Sequence, residues 1–168
     1  MDTSENGLTR QYLTFALGDD EFAIEIGKVR EVLDFTSITF VPNMPGYIRG
    51  VINLRGNVVP VVDLKMKLNM GKAEPTVNSC IVIVDSEFHG EAVQVGALTD
   101  SVHEVLDLDD GRVVPPPGMG LRMDTAYVSG IGRLDGRFIL ILDIGRVMSE
   151  EGAPALGSDE QFEALPAA

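Results

Sequence analysis

Cysteine is almost absent from this chain. Of 168 residues only Cys80 is one, so no intramolecular disulfide and no cysteine-based metal site can form, which fits a reducing compartment. Histidine is scarce too. His89 lies in a polar turn and His103 beside acidic residues, and both read as exposed, solvated side chains. Basic residues are few, with 13 Lys and Arg against 26 Asp and Glu and a formal net charge of −13. Such an acidic balance repels phosphate backbones and anionic headgroups, so neither nucleic acid nor a membrane surface is an expected partner. Long apolar runs are missing as well. None approaches the ~20 residues of a membrane helix, and the polar start MDTSENGLTR has no apolar signal-peptide core. The expectation is a cytoplasmic protein with no direct membrane insertion.

Catalytic signatures are equally thin. There is no HExxH, no CxxC and no glycine-rich loop opening a helix. Gly130-Ile131-Gly132 runs into a strand pattern, and Ser101 and Ser129 have no His or Lys base at a suggestive spacing. The pairs Asp19-Asp20 and Asp109-Asp110 stand in turns, where aspartate serves the backbone. No catalytic residue, metal ligand or cofactor is expected. A small β-barrel enzyme with an unrecognised site is the rival from another class, and hydrolase screening separates the two.

What the chain does have is a repeat. Tyr47 to Leu64 reads YIRGVINLRGNVVPVVDL, and Tyr127 to Ile144 reads YVSGIGRLDGRFILILDI. At this fixed offset of 80, Gly50, Leu54, Gly56 and Asp63 meet Gly130, Leu134, Gly136 and Asp143. A second echo, Glu31 to Phe35 against Glu104 to Leu108 at an offset of 73, keeps the same chain order. Two copies of one small β unit explain both. In each stretch a β-branched apolar run follows a tight Gly-containing turn, the pattern of a hairpin. Gly50, Gly56, Gly130 and Gly136 read as backbone necessities. Arg55 stands at the tip of the first turn, with Asp135 as its counterpart. The fold is kept there and the charge is not, which favours a functional over a structural role for Arg55; an ordinary solvated turn arginine is the alternative.

Taken in order, Gln11 to Leu17 and Glu21 to Ile26 form a hairpin about Gly18-Asp19-Asp20. A short helical turn at Gly27 to Val29 precedes a strand to Phe35, and Thr36 to Pro45 is a strand edge and loop. Pro60, lacking an N–H, places its strand at an edge or bulge. One or two helical turns are expected within Asp63 to Met70, a linker at Gly71 to Asn78, and a short helix at Ile144 to Glu150. Cys80 to Val84 and Glu91 to Leu98 are strands about a turn at Ser86 to Gly90, and Val114 to Gly118 is an extended loop. Many short strands with Gly and Pro turns make an all-β chain of two small barrels. Each is marginal alone, so they pack together with a groove at the junction. We expect one domain over 11–150, with subdomains at about 11–70 and 79–144, and flexible or lightly docked tails at 1–10 and 151–168.

The motifs carry a family resemblance. GVINLRGNVVPVVDL at Gly50 to Leu64 resembles the hallmark segment of the CheW family of chemotaxis coupling proteins. FAIEI at Phe22 to Ile26, VREV at Val29 to Val32 and VPNMP at Val41 to Pro45 fall where that family has FxIxI, VxEI and VPxxP. The resemblance spans about residues 11 to 150 and is specific in combination. It implies two tandem SH3-like five-stranded barrels with short helices, and no catalysis. It also implies two partners, the regulatory domain of the histidine kinase CheA and the cytoplasmic tip of methyl-accepting chemoreceptors. Carried over by position, Val29, Glu31 and Arg55 match residues implicated in coupling, and Leu98 and Val102 are candidates for the other wall of the groove. A CheW-like adaptor of a surface-motility or second-messenger array is the alternative reading.

Overall fold

Among the described residues, eleven strands form two sheets, and each sheet draws on both halves of the chain. The computed structural model describes residues 9–88, 90–115 and 127–148, the Phe88 side chain excepted. The strands are β1 (Thr9–Leu17), β2 (Asp20–Glu25), β3 (Val29–Asp34), β4 (Ile48–Leu54), β5 (Asn57–Asp63), β6 (Cys80–Phe88), β7 (Glu91–Thr99), β8 (Ser101–Asp109), β9 (Val113–Val114), β10 (Val128–Leu134) and β11 (Arg137–Leu142). Two short helices, α1 (Leu64–Lys67) and α2 (Ile144–Met148), follow β5 and β11, and single helical turns stand at Ile26–Lys28 and Asp110–Arg112. No helix among the described residues is long and apolar enough to cross a membrane.

The first barrel has the strand order β3-β6-β7-β5-β4, and the second β8-β1-β2-β11-β10-β9. The copies inferred from the repeat are present, but they trade hairpins. β1–β2 of the first copy joins the second barrel, and β6–β7 of the second copy joins the first. A division into subdomains at 11–70 and 79–144 therefore does not follow the sheets. Each exchanged hairpin meets its host through a parallel pair, β5 with β7 (Val61 opposite Gly96) and β11 with β2 (Ile141 opposite Ala23). The other ladders are antiparallel.

Exchange is what lets the strands be apolar on both faces. Side chains alternate across a strand, and here the two faces serve different cores. In β6, Ile81 and Ile83 fill the first barrel while Val82 and Val84 face the junction. In β1, Tyr12 belongs to the second barrel while Leu13, Phe15 and Leu17 belong to the junction. The junction core joins both barrels through Phe15 and Phe22, whose rings stack at 6.0 Å, together with Val62, Leu64, Leu142, Ile144 and Val147. Each large apolar side chain buried there contributes about 1.5–3 kcal/mol.

Both long hairpins close in two-residue turns with positive φ at each central residue, Arg55 and Gly56 at 51° and 89°, and Asp135 and Gly136 at 52° and 80°. This is the turn whose twist matches the flanking strands. Both also bulge at the same repeat position, at Ile48/Gly50 and at Val128/Gly130. Gly50 is required twice over: its φ is 146°, and a Cβ there would lie 2.1 Å from the Thr39 carbonyl oxygen. That carbonyl accepts from the Val51 N–H at 2.9 Å, where Thr39 crosses the outer edge of β4. At Gly130 the reason is crowding alone, since a Cβ would lie 2.7 Å from Val113 Cγ1.

Pro60 is neither on an edge strand nor at the bulge. β5 lies between β4 and β7. Its partner Val51 spends its backbone N–H and C=O on Thr39, and the ladder to β7 starts only at Val61. The missing N–H therefore costs no hydrogen bond. β1 begins at Thr9, so Arg10, expected in a tail, is a strand residue ion-paired to Glu25 at 2.8 Å. β6 runs through Ser86 to Phe88, where a turn was expected. His89, the loop beyond Pro115 and both outer tails lie outside the described residues.

Candidate functional site

In a five-stranded sheet that does not fully close, β3 and β4 are the two edge strands, and Thr39 covers the β4 edge at Val51. The turn after β4 reaches across this seam. Arg55, held in the left-handed region by the turn, points both guanidinium nitrogens at Glu31 on β3. Nη2 meets Oε2, and Nη1 lies 3.4 Å from Oε1. The side chains are 70% and 28% exposed, so the pair sits on the surface. The hydrogen bond from Arg55 holds the Glu31 carboxyl below its usual range, and the same bond raises the Arg55 guanidinium. The Asn53 side chain braces the turn by accepting the Gly56 N–H at 2.8 Å. Beside the pair in the chain, Val32 and Val58 are exposed at 41% and 56%. The result is a paired charge on the surface, with exposed apolar side chains at nearby positions of β3 and β5.

The expectation that this charge is peculiar to the first copy does not hold. In the second barrel Glu104 on β8 occupies the Glu31 position, and Arg137 reaches it at 3.9 Å. Arg137 also donates to Glu21 at 2.6 Å. The arginine has moved from the turn itself to the first residue of β11. Both copies therefore set an arginine near the tip of the long hairpin against a glutamate of an edge strand, and Arg55 is a tie between elements as well as a surface group. The apolar flank recurs as Val105 and Phe138, exposed at 48% and 65%.

Val29 and Val102 are repeat counterparts. Each lies at the start of an edge strand, is partly buried, and packs against the junction core. Both sit at the margin of the junction core. Leu98 does not. β7 lies between β6 and β5, so both of its edges are paired; Val95 and Ala97 face the junction core, and Leu98 is fully buried in the first barrel's interior. It is a core residue and lines no surface.

Some features were not foreseen. Asp63, at the end of β5, is fully buried and accepts from Arg49 Nη1 and the Ala73 N–H, both at 2.9 Å. It anchors the 71–78 linker to the barrel. Lys67 on α1 holds its ammonium 4.3 Å from the centre of the Tyr47 ring. Burial lowers the Lys67 amine to about 8 and raises the Tyr47 phenol. The strict echo of Asp63 in Asp143 was the available signal for the first; nothing in the sequence pairs Lys67 with Tyr47. His103 meets Ser101 Oγ at 3.1 Å and lies 3.5 Å from Glu21, on an exposed edge. No group of three or more His, Cys, Asp or Glu among the described residues is arranged to hold a metal ion.

Comparison with known proteins agrees with this architecture. Residues 11–152 match the CheW-like domain family. The chain is 34% identical over 142 residues to "Chemotaxis protein CheW" of Rhizobium meliloti, covering 84% of this chain and 89% of that one. It is 33% identical over 142 residues to the Klebsiella aerogenes protein of the same name, covering 84% and 83%. The crystal structure of the scaffolding protein TtCheW from Thermoanaerobacter tengcongensis superposes with a TM-score of 0.74 at 36% identity, covering 83% of this chain and 92% of that one. Two exchanged barrels over a shared junction core, carrying the family's sequence along nearly their whole length, place the chain in the CheW family of chemotaxis adaptor proteins.

Proposed function

We propose that the chain is a non-catalytic cytoplasmic scaffold that couples the cytoplasmic tip of chemoreceptors to the regulatory domain of the histidine kinase CheA. The observation that carries this reading is the open seam of the first barrel. There an exposed Arg55–Glu31 pair joins the β4–β5 turn to the β3 edge, and Val32 and Val58 at nearby chain positions are exposed. A free β-edge offers backbone hydrogen bonds to a partner strand or barrel. An arginine fork flanked by apolar contacts is the composition of an interface hot spot. Val29 and Val102, partly buried over the junction core, suit the apolar face of a receptor helix. Contacts of this size are individually weak, and an array multiplies them.

Titration calorimetry against the regulatory domain of a kinase from the same source tests this. Micromolar binding is expected, with Arg55→Ala weakening it by about ten-fold. Val29→Ala is expected to weaken receptor binding and spare the kinase. Equal affinity for both partners in wild type and Arg55→Ala overturns the assignment of that surface.

A further inference from the structure

The two barrels share a backbone frame at the end of their long hairpins and differ in what fills it. The Asp63 N–H donates to Tyr47 O at 2.7 Å, and the Asp143 N–H donates to Tyr127 O at 2.8 Å. In the first barrel the frame holds a guanidinium. Arg49 Nη1 donates to Asp63 Oδ2 and to Ala73 O, each at 2.9 Å, and the Asp63 side chain is 0% exposed. In the second barrel the same register places Asp143 at the Asp63 position and Ser129 at the Arg49 position. Ser129 cannot reach across; its hydroxyl donates to Ile141 O at 3.3 Å. Asp143 is 44% exposed, accepts the Arg146 N–H at 3.2 Å, and meets Arg146 Nε only at 3.7 Å.

Asp143 opens onto a cavity of about 470 Å³ bounded by Arg10, Glu25, Lys28, Asp110 and Ser129. It lies where β2 and β11 part after the Ile141–Ala23 pair. Arg10 is engaged by Glu25 at 2.8 Å and faces Asp110 at 3.9 Å. Three carboxylates thus line the cavity against two cations, which favours a cationic guest.

We propose that this cavity binds an alkylguanidinium, the arginine side chain of a partner polypeptide, with Asp143 accepting from it as Asp63 accepts from Arg49. A planar fork suits a carboxylate beside strand carbonyls better than a point-charge ammonium does. The cavity lies apart from the Arg55 seam and is independent of the coupling reading.

The test titrates the full chain with ethylguanidinium chloride and follows backbone amide shifts by NMR. Saturable shifts are expected at Ser129, Asp143 and Ile144, with affinity at least about five-fold above that for ethylammonium chloride at equal ionic strength. Asp143→Asn keeps the cap of α2, because Asn caps as well as Asp, and is expected to weaken the probe by about ten-fold. Ser129→Arg supplies the guanidinium from within. It is expected to abolish probe binding and to raise the Tm by about 3 °C. Absence of saturable shifts, which is also what occupation by another part of the chain produces, overturns the proposal. So does unchanged probe affinity in either variant.

Discussion

Asp63 and Asp143 begin from the same hydrogen bond to a tyrosine carbonyl and end in opposite circumstances. One is sealed under an arginine and a linker, the other faces solvent at the rim of a cavity. The seams differ in the same spirit. Arg55 and Glu31 form a two-pronged pair in the first barrel, whereas Arg137 divides itself between Glu21 and Glu104 in the second. Backbone geometry is kept between the copies, down to the bulge and the turn. The side chains that ride on it are free to diverge. The lesson is that repeat symmetry predicts where a group stands, and the neighbour it meets decides what the group does.

The largest expected break of this parallel is at the bulge glycines. Gly50→Ala drives a Cβ against backbone and forces an unfavourable φ, and is expected to cost about 4 kcal/mol. Gly130→Ala presses mainly on the Val113 side chain, with the Val114 carbonyl at 3.3 Å, and is expected to cost about 1 kcal/mol. Urea denaturation of both variants measures the gap, and equal losses break the distinction. Next comes the aspartate pair. Asp63→Asn removes a buried charge from Arg49 and is expected to cost on the order of 3 kcal/mol. Asp143→Asn is expected to stay within about 0.5 kcal/mol, as at an ordinary surface site.

Lys67 sharpens the comparison further, because its repeat counterpart is the buried Val147. A lysine whose folded pKa is lowered to about 8 binds its proton more weakly folded than unfolded. Between pH 8 and about 10 the unfolded chain therefore holds more protons, and stability rises with pH. Lys67→Met is expected to flatten that rise and to stabilise the protein at neutral pH. Melting temperatures across this range decide it. Above about 10 the raised Tyr47 phenol acts in the opposite direction, because its proton is held more tightly in the folded state. The smallest effect belongs to Glu31. Its folded pKa lies below the ordinary value of 4.5, so its contribution is present above that value and is lost as pH falls through the lowered pKa. Stability curves of wild type and Glu31→Gln are expected to part slightly at neutral pH and to merge in acid.

Most strands were legible because alternating apolar residues between Gly turns constrain both period and ends. The repeat was legible for the same reason, since Gly50, Gly56 and Asp63 recur with their turn. The exchange of hairpins was not, because similarity between copies says nothing about which sheet a strand enters. Leu98 was misplaced for a related cause: an apolar strand segment such as AVQVGALT does not reveal whether its outer face meets solvent or a second core. Val29 and Val102 keep their echo in the structure, since both pack against the junction core. The Arg55–Glu31 tie was hidden by a sequence separation of 24 residues. Its counterpart was hidden by a two-residue shift of the arginine, which a fixed offset cannot follow.

The traded hairpins bear on how the chain is made. Emerging from a ribosome, the first barrel lacks two of its five strands until Thr99 has been synthesised, and the second stays open until β11. Neither can close early as a self-sufficient unit, so β1 and β2 wait, apolar on both faces, for partners some 90 residues away, such as Val102 opposite Phe15. Contacts of such long range slow folding and leave sticky edges exposed meanwhile. In return, the finished halves are interlocked, and one cannot be pulled away without unravelling the other.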